Sequence, residues 1–207
     1  MPWTSGNREV LSLSRCCGSA GTFLGYFRRE QNGPLTSIGV SMHDGGGWTT
    51  LADSTLYPIG SYTGTKFGME AFSEGTDDSL AIAIGGPSNE SHVFSYRQGS
   101  WSELPATGIK AGLGTRIGTS MRGCADCIYL AYEDYITGMD GLTVQKYVDG
   151  AWETVGKRSF TDGVYEYYQN IIATDDSNVY VCFQESIDHT GQNTIGKLSV
   201  FKYESGQ

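Results

Sequence analysis

The chain has little charge, and less of it basic than acidic. Asp, Glu, Lys and Arg make up 18% of 207 residues, with 14 basic against 23 acidic and a formal net charge of −9. No Lys/Arg cluster offers a phosphate footprint, which excludes nucleic acid as the expected partner. No apolar run approaches the roughly 18 residues of a membrane-spanning helix. The opening "MPWTSGNREV" lacks the charged and apolar regions of a signal peptide. Five cysteines, an odd number that includes adjacent Cys16 and Cys17, do not form a secreted disulfide framework. A reducing, cytoplasmic compartment is therefore expected. Only three histidines occur, His43, His92 and His189, and no G-x-S-x-G, P-loop or H-E-x-x-H motif is present. A helical period is missing as well.

What the chain does have is glycine, 29 residues of it, with 13 Tyr and 8 Phe, a composition suited to strands and tight turns. Its four tryptophans, Trp3, Trp48, Trp101 and Trp152, are spaced by 45, 53 and 51 residues. Their surroundings repeat too. "GVSMHDGGG", "VFSYRQGS" and "VQKYVDGA" precede Trp, and "TTL", "SEL" and "ETV" follow it. Each is a run with the strand period, a Gly-bearing turn and a second short strand, the pattern of a β-hairpin. Two more strand-like runs lie upstream in each unit, among them "KFGMEAFS" then "SLAIAIGG", and "RIGTSM" then "CIYLAYED". Four short strands at a period of about 50 residues predict propeller blades.

Residues 80–105, "LAIAIGGPSNESHVFSYRQGSWSELP", resemble the kelch repeat through Gly85-Gly86, Tyr96 and Trp101 in that order. The other units depart from it, with Glu133-Asp134 or Phe183-Gln184 where the double Gly stands. "SMHDGGGW" half-matches the Asp-box hairpin of sialidases, a structural turn. The resemblance implies a single all-β domain over 1–207, a four-bladed β-propeller of four-stranded antiparallel blades. The units are 3–47, 48–100, 101–151 and 152–207, and within a blade the strands run outward from the axis, as in "RIGTSM", "CIYLAYED" and "LTVQKY", with the Trp strand outermost. The last blade, ending "VFKYESGQ", has no Trp strand after it. The N-terminal segment around Trp3 is expected to complete that last blade and close the ring, which removes two exposed sheet edges.

In such a ring the long connections share one face, where binding concentrates. "GTKFG" and "GTRIG", with "GNREV" as a looser copy, bring Arg8, Lys66 and Arg116 to the mouth of the central channel, a place for an anion. Each of these cations has a simpler role, pairing with a loop carboxylate such as Glu9, Glu133, Asp134 or Glu185. The fourth unit offers Tyr165, Tyr167 and Tyr168 instead. Tyr57, Tyr62, Tyr135, Tyr165 and Tyr168 form an aromatic set suited to sugar, while Tyr129, Tyr147, Tyr180 and Tyr203 are expected to pack between blades. Cys124 and Cys127 form a lone CxxC, too few ligands for zinc, and are read as thiols. Glu185, Asp188 and His189 are read as a solvated loop. No metal and no other cofactor is expected.

The expected function is a non-enzymatic interaction module, a scaffold that binds a protein or anionic ligand over the channel. The alternative is a carbohydrate-binding lectin. Fungal fucose-binding propellers share the hairpin-Trp rhythm, although their repeated Arg and Glu pair is not found here. A sialidase-like hydrolase is a distant third: Arg8, Arg116 and Tyr167 imitate its site, but four blades are fewer than such enzymes use. The expected partner is a protein or a glycan, and the expected state a monomer, or a dimer if the ring is a half-propeller.

Overall fold

The structure, a computed structural model, describes residues 8–17, 21–30, 35–53, 67–74, 77–85, 91–106, 120–124, 127–136, 139–161, 165–175, 178–186 and 195–204. All regular elements among them are strands, and every pairing is antiparallel. The first sheet holds β1 (Arg8–Cys17), β2 (Thr22–Glu30), β3 (Leu35–His43) and β4 (Trp48–Asp53). The second holds β5 (Phe67–Glu74), β6 (Asp77–Gly85), β7 (Ser91–Arg97) and β8 (Ser100–Glu103). In the third are β9 (Ser120–Cys124), β10 (Cys127–Ile136), β11 (Met139–Val148) and β12 (Ala151–Thr154). The fourth has three described strands, β13 (Tyr165–Thr174), β14 (Asn178–Ser186) and β15 (Ile195–Glu204).

Strand order within each sheet follows the chain. The first strands of successive sheets touch one another, β1 with β5, β5 with β9 and β9 with β13. These are the expected axial strands, and sheets stacked around them make a β-propeller. Contact between β13 and β1 is slight or absent, so the described sheets form an arc. β15 pairs only with β14 among the described strands, and Trp3 lies outside the described residues.

Both faces of an inner sheet are apolar, because alternate residues point to opposite sides. Leu80, Ile82 and Ile84 of β6 pack on Phe23, Ile38 and Val40 of the first sheet. Their alternates Ala81 and Ala83, with Val93, meet Ile128, Leu130 and Tyr132 of the third. On the third sheet's other face Ala131, Leu142 and Val144 pack against Ile172, Val179, Val181 and Phe183.

The outer hairpins explain the tryptophan rhythm. Gln98-Gly99 and Asp149-Gly150 have φ of 49° and 80°, and of 50° and 84°. Positive φ at both central residues defines the tight hairpin turn that matches strand twist, and Gly at the second position adopts it without strain. Each turn places Trp opposite the expected Tyr: Tyr96 and Trp101 rings lie 5.0 Å apart, Tyr147 and Trp152 5.2 Å. The indole then reaches back to the preceding sheet. Trp101 Nε1 donates to the Leu51 carbonyl at 3.0 Å, and Trp152 Nε1 to the Pro105 carbonyl at 2.8 Å. In the first sheet His43 replaces Tyr against Trp48, and the Asp44 carboxylate holds the turn by accepting from the Gly46 and Gly47 amides. Those amide bonds favour the carboxylate and lower its pKa.

Two local expectations change. The described part of β9 is Ser120–Cys124, and the "GTRIG" segment lies outside the described residues. The ladder then runs to Cys124 opposite Cys127, with Arg122 and Gly123 continuing it against Tyr129 and Ile128 where a turn was expected. Cys127 is disulfide-bonded and not a thiol; Cys182 is free.

Trp101→Phe keeps the ring but deletes the indole N–H. Loss of a bond to a part-buried carbonyl is expected to cost about 1 kcal/mol, read as a lower urea midpoint at unchanged m-value.

Candidate functional site

The best-defined polar cluster lies between the second and third sheets. On β10, Ile128, Leu130 and Tyr132 face the second sheet, and Asp134 follows in the same alternation, with no exposed surface. A carboxylate there is tolerable only when paired. Arg158, on the 155–164 segment that leaves β12 for β13, supplies the pairing. Its Nε donates to Asp134 Oδ2 at 2.5 Å and its Nη2 to Oδ1 at 2.9 Å. Thr143 Oγ1 adds a third bond to Oδ2 at 2.9 Å.

The backbone of 155–161 is held in place by continuing along β11. The Val155 amide donates to the Val144 carbonyl, the Phe160 amide to the Leu142 carbonyl, and the Leu142 amide to Thr161 Oγ1. The Ser159 amide donates to Thr143 Oγ1 at 2.8 Å. Gly141 makes the close approach possible: a Cβ there would lie 2.5 Å from Ser159 Oγ and 3.0 Å from Thr161 Oγ1.

The result is a fixed arginine. Its side chain is 42% exposed while its carboxylate partner is sealed. The bonds to Asp134 raise the Arg158 pKa above its ordinary value. Burial is the main cause that pushes the Tyr132 phenol up, with the Asp134 charge adding to it. The Tyr132 hydroxyl and Ser159 Oγ are buried without a hydrogen-bond partner among the described groups.

The sequence-derived residues fall as follows. Arg8 opens β1 opposite Glu30, but its side chain lies outside the described residues. Lys66, Arg116 and Tyr62 lie outside them altogether. Glu133 pairs in register with Leu142, Tyr135 with Asp140, Tyr165 with Ser186 and Glu185 with Glu166; of their side chains only the strand positions are described. Tyr167 and Tyr168 occupy the irregular stretch of β13 between Glu166 and Asn170. Asp134 does pair with a cation, but with Arg158, which the motif reading passed over. A detectable signal existed: an acid in phase with three apolar core positions must find a buried partner. His43 and His92 lie on outer hairpin strands, with His92 Nδ1 2.7 Å from Glu103. Tyr147 and Tyr203 pack in the cores between sheets, also as expected. Among the described residues no group of three or more His, Cys, Asp or Glu could hold a metal ion.

No family model and no curated protein matches the sequence. Solved structures do match its fold. A fucose-binding fungal lectin from Aleuria aurantia, a six-bladed β-propeller, is 15% identical with a TM-score of 0.56, over 93% of this chain and 62% of the lectin. The SapL1 lectin, solved with α-methyl fucoside, is 12% identical with a TM-score of 0.57, over 93% and 65%. A neuraminidase-like protein of a bat influenza virus (A/bat/Guatemala/164/2009) is 10% identical with a TM-score of 0.54, over 95% and 52%. The chain thus spans less than two thirds of the lectins it resembles. The likeness supports the propeller expected from the repeat and carries no mark specific to kelch.

Arg158→Met leaves Asp134 buried without its cation, and unfolding measurements should show a loss of about 3 kcal/mol, the low end for a buried pair. Combining it with Asp134→Leu should recover most of that loss. If the double variant were as unstable as the single one, the unpaired charge would not be the cause.

Proposed function

We propose that this chain is a carbohydrate-binding β-propeller, a lectin-like module without catalytic activity. The observation that carries the reading is the fixed Arg158. A guanidinium held on one edge by a sealed carboxylate, on a side chain that is itself 42% exposed, is a rigid planar donor. Such a donor binds vicinal sugar hydroxyls or a ring oxygen with little loss of side-chain entropy. Aromatic rings supply the second requirement, an apolar face for the sugar ring. Tyr135 and Tyr165 stand at strand ends, Tyr135 on the same strand as Asp134, with Tyr167 and Tyr168 following on β13. Glu133 and Glu185 are the acceptors we assign to sugar hydroxyls.

The fold's likeness to two fucose-binding lectins makes a neutral deoxyhexose the first ligand to try. The non-catalytic reading rests on Asp134. It is the one buried carboxylate among the residues whose burial is described, and Arg158 and Thr143 engage both of its oxygens, which leaves it no role as acid or nucleophile. We read the chain as four blades, the last completed by its own N-terminal segment.

A glycan array carrying fucosylated and non-fucosylated neutral sugars should show selective binding. Calorimetry with the best ligand should then lose about tenfold in affinity, roughly 1.4 kcal/mol, in Tyr165→Ala or Tyr168→Ala. Silence across the whole array would overturn the lectin reading.

A further inference from the structure

We propose that Asp134 is the specificity-determining residue of the Arg158 site. It lies behind the guanidinium with no exposed surface, and its charge offsets that of the arginine, so the site takes a neutral sugar in preference to an acidic one. The inference rests on the lectin reading for its ligand class and deepens it by naming the residue that makes the choice.

Hydrogen-bonding capacity survives the pairing. A guanidinium has N–H donors at Nε, Nη1 and Nη2, and Asp134 receives one from Nε and one from Nη2. Both hydrogens of Nη1 and the second of Nη2 stay available, on a side chain that is 42% exposed. They form a planar fork that can bridge vicinal sugar hydroxyls.

Charge does not survive it to the same extent. An unpaired arginine favours carboxylate, sulfate or phosphate over a neutral polyol, because hydrogen bonds to ionised partners are about twice as strong as neutral ones. Asp134 works against that preference. Coulomb energy falls as the inverse of distance, so an acidic ligand about 4 Å from the guanidinium and about 8 Å from Asp134 loses roughly half of the attraction. A buried charge is screened less than an exposed one, so salt does not remove the repulsion. Lys157 does not restore the balance, because it lines the cavity between the third and fourth sheets with Val181 and Tyr203. Asp134 faces the second sheet instead, and the chain's net charge of −9 adds to the repulsion.

The network also fixes which form of the residue is present. Thr143 Oγ1 accepts the Ser159 amide at 2.8 Å, and it donates its own proton to Asp134 Oδ2 at 2.9 Å. Each group bonded to Asp134 is thus a donor: Thr143 Oγ1 and Arg158 Nε to Oδ2, and Arg158 Nη2 to Oδ1. A carboxylate accepts at both oxygens, and an amide cannot. Asp134→Asn therefore keeps the shape, releases the arginine charge and sets an NH2 group against one of the donors.

NMR on the full chain reads the site through the backbone amides of 157–160. The neutral probe is methyl α-L-fucoside; the acidic probes are N-acetylneuraminate and inorganic sulfate, all at matched ionic strength. In the unaltered protein the fucoside should shift these amides saturably and sulfate should leave them in place. N-acetylneuraminate should bind about tenfold more weakly than the fucoside. In Asp134→Asn the acidic-to-neutral affinity ratio should rise about tenfold, with sulfate now binding saturably and added salt weakening both acidic probes. Structural damage alone cannot produce that gain. An unchanged ratio in the folded variant would overturn the proposal. Should Asp134→Asn not fold, the unaltered protein decides, and saturable sulfate binding at 157–160 there sinks the idea. A silent fucoside with sulfate behaving as stated counts against the lectin reading instead, so the two failures remain distinct.

Discussion

A sheet in this chain cannot stand alone, because alternate residues make both of its faces apolar. Ile82 and Ala83 are adjacent, point in opposite directions, and are both essentially without exposed surface. Each needs a neighbouring sheet, and stacking with strand twist turns a row of sheets into an arc. The residue sizes follow from that. The face toward the preceding sheet carries Leu80, Ile82 and Ile84, while the face toward the next carries Ala81 and Ala83. Small residues opposite large ones let successive sheets approach at native density.

The polar cluster is what this stacking leaves at the loop end. Where Asp134 and Thr143 replace the apolar pattern, burial would be costly without donors, and the 155–161 segment supplies them. Desolvating a carboxylate costs several kcal/mol, so the cluster does little for net stability and mainly fixes geometry. The same bonds that make Asp134 tolerable immobilise Arg158. Site rigidity here is a by-product of satisfying a buried charge.

Much of the fold was legible, because it is written in short-range chemistry. The Gly turns, the tryptophans after them and the strand alternation are local signals. They placed the hairpins and the strands of each unit, while the strand order and the axial position of each first strand came as what the kelch resemblance implies. Arg158 was hidden because its role depends on a partner 24 residues away, and no spacing rule links a loop arginine to a strand aspartate. The end of β9 was placed too early for a related reason: "RGCAD" reads as a turn by composition, yet Arg122 and Gly123 are drawn into the ladder by Tyr129 and Ile128. The disulfide at Cys127 was obscured by the odd total, which counted Cys182 equally with the rest.

The last sheet of the arc shows what stacking demands and the described residues do not meet. Leu142 and Val144 are 0% and 3% exposed on the third sheet, whereas Leu198 and Val200, in the same places on the fourth, are 72% and 62% exposed. At about 25 cal/mol per Å² of apolar surface, leaving two such side chains open forfeits several kcal/mol that the inner sheets gain. Phe201, on the opposite face, is turned to Phe160 and Phe183, so β15 is not misoriented. Among the described residues the sheet has its inner face covered and no neighbour on the outer one. A propeller sheet with one satisfied face is half of an interface, and its sequence already carries the residues for the other half.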